Sequence, residues 1–264
     1  MSLFLAGCPL WFTAILLILL PSIAAMWALV AVRKRVGLAR LAHNNEVAGF
    51  KFAVVGVIYA VMLAFAVVGV WQRYNDAELA VVQEAGAAAT LYRLAAGPAP
   101  EAAQTRQALT DYLSTAISSD WPAMARERVS PQATAELNAL YASALRLSRD
   151  GGEPQAQISE AFYQLDQITQ ARRERLHLCF GVVPIVLWQA LILGGVLTVG
   201  FTYFFGTRNL RAQVLMTGIL AIIVFMGLFV IVSIDHPFTG PVHVGSGPLL
   251  QVLADFRAAQ LGAH

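Results

Sequence analysis

The chain has 264 residues, of which 58% are hydrophobic and 13% charged, and its mean hydropathy is +0.62. That is too apolar for a soluble domain of this length. A net charge of +2 implies no nucleic-acid partner. The two cysteines, Cys8 and Cys179, are too few and too far apart for a disulfide framework or a zinc site, and both are expected to serve as small apolar residues.

Four stretches contain no charged residue and are long enough to cross a bilayer: 10–32, 52–71, 178–205 and 212–234. A hydrocarbon core of about 30 Å needs ~20 apolar residues at 1.5 Å rise. Ahead of the first stretch, Leu5, Ala6, Gly7 and Cys8 spell a lipoprotein cleavage box. A secretory signal, however, places its charged start and apolar core before the cleavage point, whereas here only seven uncharged residues precede Cys8 and the apolar run follows it. The first span is therefore expected to be an uncleaved anchor. The predicted class is all-α and integral to the membrane, with four transmembrane helices per subunit. Its divisions are 1–71 (spans one and two with a short basic loop), 72–177 (a helical extramembrane domain), 178–234 (spans three and four) and 235–264 (a turn and short helix).

Residues 72–177 hold 13 of the 16 acidic and 10 of the 18 basic side chains, which marks them as water-exposed. Breakers fall at Gly97-Pro98-Ala99-Pro100, Asp120-Trp121-Pro122 and 150–154, and the intervening Ala, Leu, Gln, Glu and Arg rich segments read as helices. Ser130 followed by Pro131 predicts a helix start, with Leu137, Leu140, Tyr141, Ala144, Leu145 and Leu147 as its apolar face. No breaker separates 72 from 96 or 155 from 180, so spans two and three are predicted to run on as helical stems beyond the membrane. Seven basic residues flank the spans on the short-loop side (Arg33, Lys34, Arg35, Arg40, Lys51, Arg208, Arg211), against four on the other (Arg73, Arg172, Arg173, Arg175). The count places the short loops in the cytoplasm and the 72–177 domain outside.

No Ser-His-Asp, paired-cysteine, His-Glu-x-x-His or phosphate-loop motif occurs, and no span carries a carboxylate or histidine to relay protons, so no catalytic residue, metal site or cofactor is expected. His43, His177 and His236 read as interfacial or capping residues; His243 and His264 carry no signal. The second span offers more. Gly56, Ala60 and Ala64 form a small-residue, helix-packing stripe. Ala53, Val57 and Val61 form a neighbouring stripe about 100° round the helix. Two readings stay open: both stripes pack inside one four-helix subunit, or several copies surround an axis, one stripe sealing subunits and the other forming an apolar pore neck.

Two segments carry a family resemblance. The run from Leu63 through Trp71, Gln72, Arg73, Tyr74, Asn75 and Asp76 to Glu78 resembles the end of the bestrophin pore helix. After span four, Asp235-His236-Pro237-Phe238-Thr239-Gly240 with Pro248-Leu249-Leu250 is similar to that family's acidic-x-Pro-Phe-Gly turn and following helix. Asn45-Glu46-Val47-Ala48-Gly49, Tyr59-Ala60, Glu84 and Leu91-Tyr92-Arg93 complete a likeness over about 44–256 to the bacterial bestrophin-like domain family of four-span proteins. The resemblance implies a homopentamer that passes small anions, with Ala53, Val57 and Val61 as the neck, and the bacterial inner membrane is the expected location. Around such an axis Arg73, Asn75 and Glu78 are expected to form a charged vestibule, the other reading being an aromatic-belt anchor at the membrane interface. The resemblance places the large domain in the cytoplasm, opposite to the charge count. The acidic calcium clasp is replaced by Pro241-Val242-His243-Val244-Gly245-Ser246-Gly247, which offers no carboxylate, so calcium control through Asp235, Pro237, Phe238 and Gly240 is not expected. A non-conducting anchor whose helical domain binds a partner is the other reading.

Overall fold

The computed structural model of the chain describes residues 8–38, 41, 45–150, 154–181 and 183–261. Leu5, Ala6, Gly7, Arg40, His43, Gly151, Gly152, Glu153 and His264 lie outside the described residues. In chain order the helices are α1 (Leu10–Val36), α2 (Asn45–Leu94), α3 (Pro100–Thr115), α4 (Trp121–Met124), α5 (Pro131–Asp150), α6 (Gln155–Leu178), α7 (Ile185–Phe201), α8 (Leu210–Ile234) and α9 (Gly247–Leu261). Four of them, α1, α2, α7 with its 3-10 extension to Phe204, and α8, are long and apolar enough to cross a membrane.

Local chemistry sets the ends. Pro21 has no N–H to donate back along α1, and a π turn at Ile15–Leu19 takes up the irregularity just ahead of it. Gly37 then ends α1 at φ +82°, its N–H on the Arg33 carbonyl at 3.1 Å, with Arg33, Lys34 and Arg35 in the last turn where the helix dipole favours cations. The second stem is present: α2 is one helix of 50 residues, about 75 Å long at 1.5 Å per residue. The third is not. α6 stops at Leu178 and α7 starts at Ile185 behind Pro184, so the predicted span 178–205 shortens to Ile185–Phe204. Gly181 and Pro184 punctuate that break, signals that an uninterrupted apolar composition conceals.

The chain separates into two compact units. The membrane unit takes 1–72, 181–236 and 240–242. Its core gathers Ala25, Tyr59, Val199, Ala221 and Val224 with Met62, Leu63 and Phe225 around them. Close approach depends on glycine: a Cβ at Gly194 would lie 2.7 Å from the Tyr59 ring, and one at Gly218 would lie 2.7 Å from the Met26 sulfur. At the start of α2, the Asn45 amide clasps the Gly206 backbone, donating to its carbonyl at 2.9 Å and accepting from its N–H at 3.0 Å.

The other unit, named the soluble unit after its expected exposure to water, takes 73–180, 237–239 and 243–264. Its core runs from Ala77, Val81, Ala88 and Leu91 on α2 through Leu109 and Leu113 on α3 and Leu140 on α5 to Leu165 and Ile168 on α6. Ser130 caps α5 as its sequence predicts, Oγ accepting from the Ala133 N–H at 3.3 Å with Pro131 at the first helical position. The expected apolar face of α5 holds except for Leu145, which is 46% exposed because it lies about 100° from Ala144 round the helix.

Candidate functional site

A helix repeats every 3.6 residues, so α2 divides into faces that can be compared along its whole length. Within the membrane unit the inward face carries Tyr59, Ala66 and Val70, all buried. Ala53, Val57 and Val61 fall on the opposite side and are exposed, Val57 by 63% and Val61 by 48%. The small-residue stripe also lies outside the subunit's own packing: Ala60 and Ala64 are exposed, and a Cβ on Gly56 would meet nothing within 4 Å. Within this subunit the close contacts are made by glycines of α7 and α8 instead. On the other flank of the Val57 face stand bulky exposed side chains, Val54, Ile58 and Phe65. The helix thus presents outward a central apolar face, a small flank and a large flank.

In its soluble half the exposed face of α2 continues through Asn75, Glu78, Leu79, Val82 and Gly86. Counting about 100° per residue, these positions stay within roughly 100° of one another. Arg73 does not join them. Two residues before Asn75, it projects about 160° away from it, is half-buried, and has a buried Nε with no partner among the described residues. The three residues assigned to one vestibule are therefore divided, Asn75 and Glu78 on the outward face and Arg73 on the reverse.

The turn after α8 uses its own side chains locally. On the membrane-unit side, Asp235 Oδ1 accepts from the Val183 N–H at 3.0 Å and Oδ2 lies 3.5 Å from His236 Nε2. The His236 ring sits so close to Gly181 that a Cβ there would lie 2.6 Å from it. On the soluble-unit side, Pro237 accepts from the Val244 N–H at 2.7 Å, Phe238 meets Trp121 edge-on at 6.2 Å, and Thr239 donates to the Ala125 carbonyl at 3.1 Å. Gly240 takes φ +84°, a conformation side-chain-bearing residues avoid. Among the described residues no group of three His, Cys, Asp or Glu side chains is placed to hold a metal ion.

Sequence reasoning missed one constellation entirely. Inside the soluble unit, Arg175 donates from Nε to Glu84 at 2.8 Å and from Nη2 to both Glu84, at 3.2 Å, and Asp120, at 3.3 Å. Arg172 pairs with Asp120 at 2.8 Å, and the Tyr112 hydroxyl donates to Glu84 at 2.5 Å. The Arg175 guanidinium also stacks over Trp121, 4.4 Å from the ring centre. Asp120 ends a π segment, Ala116–Asp120, and accepts a further bond from the Ser130 N–H at 3.2 Å. Burial works against the Arg175 charge, but Glu84 and Tyr112 more than offset it, so the guanidinium is held above its ordinary range. Burial, then the charge of Glu84, pushes the Tyr112 phenol well above its usual value. Nearby, burial raises the Cys179 thiol to about 11, which keeps it a protonated, inert core residue. The available signal was charge on an apolar face: Leu165, Ile168, Arg172 and Arg175 recur at helical spacing, as do Ala77, Glu84, Ala88 and Leu91.

This arrangement joins α2, the α3–α4 corner and α6 by ion pairs, with no nucleophile–base pair among them. Comparisons with known proteins follow the same outline. A family model described as Bestrophin-like domain matches residues 19–249. Two point variants of a bacterial bestrophin homologue from Klebsiella pneumoniae superpose with TM-scores of 0.69 and 0.71 at 14% and 15% identity, each match covering 92% of this chain and 98% of the other. A crystal structure described as a membrane protein superposes with a TM-score of 0.71 at 16% identity, covering 93% and 98%. No curated protein matches the chain.

Proposed function

The chain belongs to the Bestrophin-like family, and from that premise we propose that it is a pentameric ion channel of the bacterial inner membrane, passing small anions passively along an axis lined by α2. The observation that carries the reading is the outward face of that helix. An apolar stripe that none of the described residues covers runs through Ala53, Val57 and Val61, and in the soluble half of the same helix Asn75 and Glu78 are exposed as well. Its flanks are complementary, small at Gly56, Ala60 and Ala64 and large at Val54, Ile58 and Phe65. Copies arranged head to tail, the large flank of one against the small flank of the next, form a heterologous contact that closes into a ring and turns the central face to its axis.

In that ring five copies of Val57 and Val61 make a neck whose apolar walls gate by excluding water. Asn75 and Glu78 form the mouth above it. Arg73, on the reverse face, contributes to the local potential without lining the pathway. Flux of chloride from liposomes tests the neck: Val57→Ala and Val61→Ala are expected to raise it severalfold, and unchanged flux in both, with a conducting parent, moves the pore elsewhere. Ion selectivity tests the mouth. Glu78→Gln is expected to increase the anion share, whereas Arg73→Glu changes it less. Native mass spectrometry supplies the subunit count, five in this reading. A monomer without flux supports instead the anchor whose soluble unit binds a partner.

A further inference from the structure

At the short-loop end of the membrane unit, the last turn of α1 meets the first turn of α8. Arg33 Nη1 donates to Gln213 Oε1 at 2.7 Å and Nη2 to the Arg208 carbonyl at 3.3 Å, while the buried Gln213 donates onward to the Phe205 carbonyl at 2.5 Å. Of the five guanidinium N–H groups of Arg33, two are used by these bonds. The segments 33–51 and 206–211 carry seven basic residues and one carboxylate, Glu46. Among the described residues, none of these cations is held in an ion pair. Beside Gln213 opens a cavity of about 350 Å³ whose walls include Phe52, Phe205, Met216 and Leu220, with Thr202, Thr207 and Thr217 as its other polar groups. Met216 is 56% exposed on a helix of membrane length, so the cavity opens at the surface of the membrane unit.

We propose that this corner binds an anionic glycerophospholipid of the adjoining leaflet. Its phosphate meets the open N–H groups of Arg33 together with Arg208 and Arg211, and an acyl chain lies along Phe52, Phe205 and Met216. Charge complementarity selects the headgroup, because unpaired arginines at a membrane surface present fork donors to phosphate oxygens. The apolar cavity selects a lipid over free phosphate, which gains nothing from walls of Phe and Met. Neither part depends on whether the protein conducts.

The test uses the full chain purified in detergent and supplied with dioleoylphosphatidylglycerol, dioleoylphosphatidylcholine of the same chains, or inorganic phosphate, with bound lipid read by native mass spectrometry. Phosphatidylglycerol is expected to be retained at least about fivefold more tightly than phosphatidylcholine, and Arg211→Gln, an exposed side chain outside the Arg33–Gln213 bonds, to lose about fivefold of it. Met216→Trp, which narrows the cavity, is expected to weaken retention of both lipids. Arg146→Gln, exposed in the soluble unit, is expected to leave retention unchanged. Equal retention of the two lipids, an Arg211→Gln protein identical to the parent, or an equal loss in Arg146→Gln overturns the site. Displacement of phosphatidylglycerol by an equal concentration of inorganic phosphate overturns the lipid assignment.

Discussion

In the membrane unit the core cluster among the spans is Ala25, Tyr59, Val199, Ala221 and Val224, the helices meet where glycine lets a ring or a thioether come close, and the buried Asp235–His236 pair sits beyond the end of α8. In the soluble unit the interior holds Glu84, Asp120, Arg172 and Arg175 together with a much larger apolar core. The solvent explains the contrast. Lipid tails are as apolar as leucine, so burial gains little there and association rests on contact between small residues. Even so, Ser22, Tyr59 and Thr198 keep hydroxyls with no partner among the described residues. A unit surrounded by water, as the charge of 73–180 leads us to expect of this one, gains a hydrophobic surplus that can offset the desolvation of four ions, provided each is paired.

The sharpest way to break the comparison is to remove one ion. Glu84→Leu leaves Arg175 with Asp120 as its remaining carboxylate, already shared with Arg172, and is expected to cost the soluble unit about 3–5 kcal/mol, seen as a lowered denaturation midpoint and faster proteolysis of 73–180. Glu84→Leu combined with Arg175→Leu is expected to recover part of that, since the Asp120–Arg172 pair survives at 2.8 Å. A single-variant cost below about 1 kcal/mol would mean the network is hydrated and that the units do not differ in this respect.

The four membrane-length segments, the run-on of α2 and the Ser130–Pro131 start of α5 were legible because each follows from local composition and spacing. The break at Gly181–Pro184 was written in the sequence but hidden inside an apolar run that composition alone reads as continuous. The ion network was harder. Its members lie as far apart as Glu84 and Arg175, and each had a bland local account: Asp120 in a turn motif, Arg172 and Arg175 as charges near a membrane boundary. Only the fold brings them together. The division of Arg73 from Asn75 was legible in principle, because residues two apart on a helix cannot share a face.

The membrane unit is expected to fail through overpacking rather than through charge. Gly194→Ala sets a Cβ 2.7 Å from the rigid Tyr59 ring and is expected to destabilise the unit by about 1–3 kcal/mol in a detergent melt. Gly56→Ala, with nothing within 4 Å, is expected to leave the subunit as stable or raise its stability by up to about 1 kcal/mol through helix propensity. If Gly56→Leu keeps the melt of the subunit yet reduces the subunit count, the small flank is an interface between copies. If the count is unchanged, that flank faces lipid.

The mildest probe is alkali, which tests the buried network of the soluble unit without a mutation. The Tyr112 phenol is raised in the folded protein by burial and by Glu84, while in the unfolded chain it titrates near 10.0. Its contribution to stability is therefore complete below pH 10 and is lost as pH rises from there towards the folded value, because the unfolded chain gives up its proton first. One pH unit above 10 is expected to cost the soluble unit about 1 kcal/mol. Tyr112→Phe removes the titration and the 2.5 Å bond to Glu84 together, so the variant should begin less stable at pH 8 and then lose less between pH 10 and 11 than the parent. An identical alkaline slope in parent and variant would show that the Tyr112 proton is not held by this network.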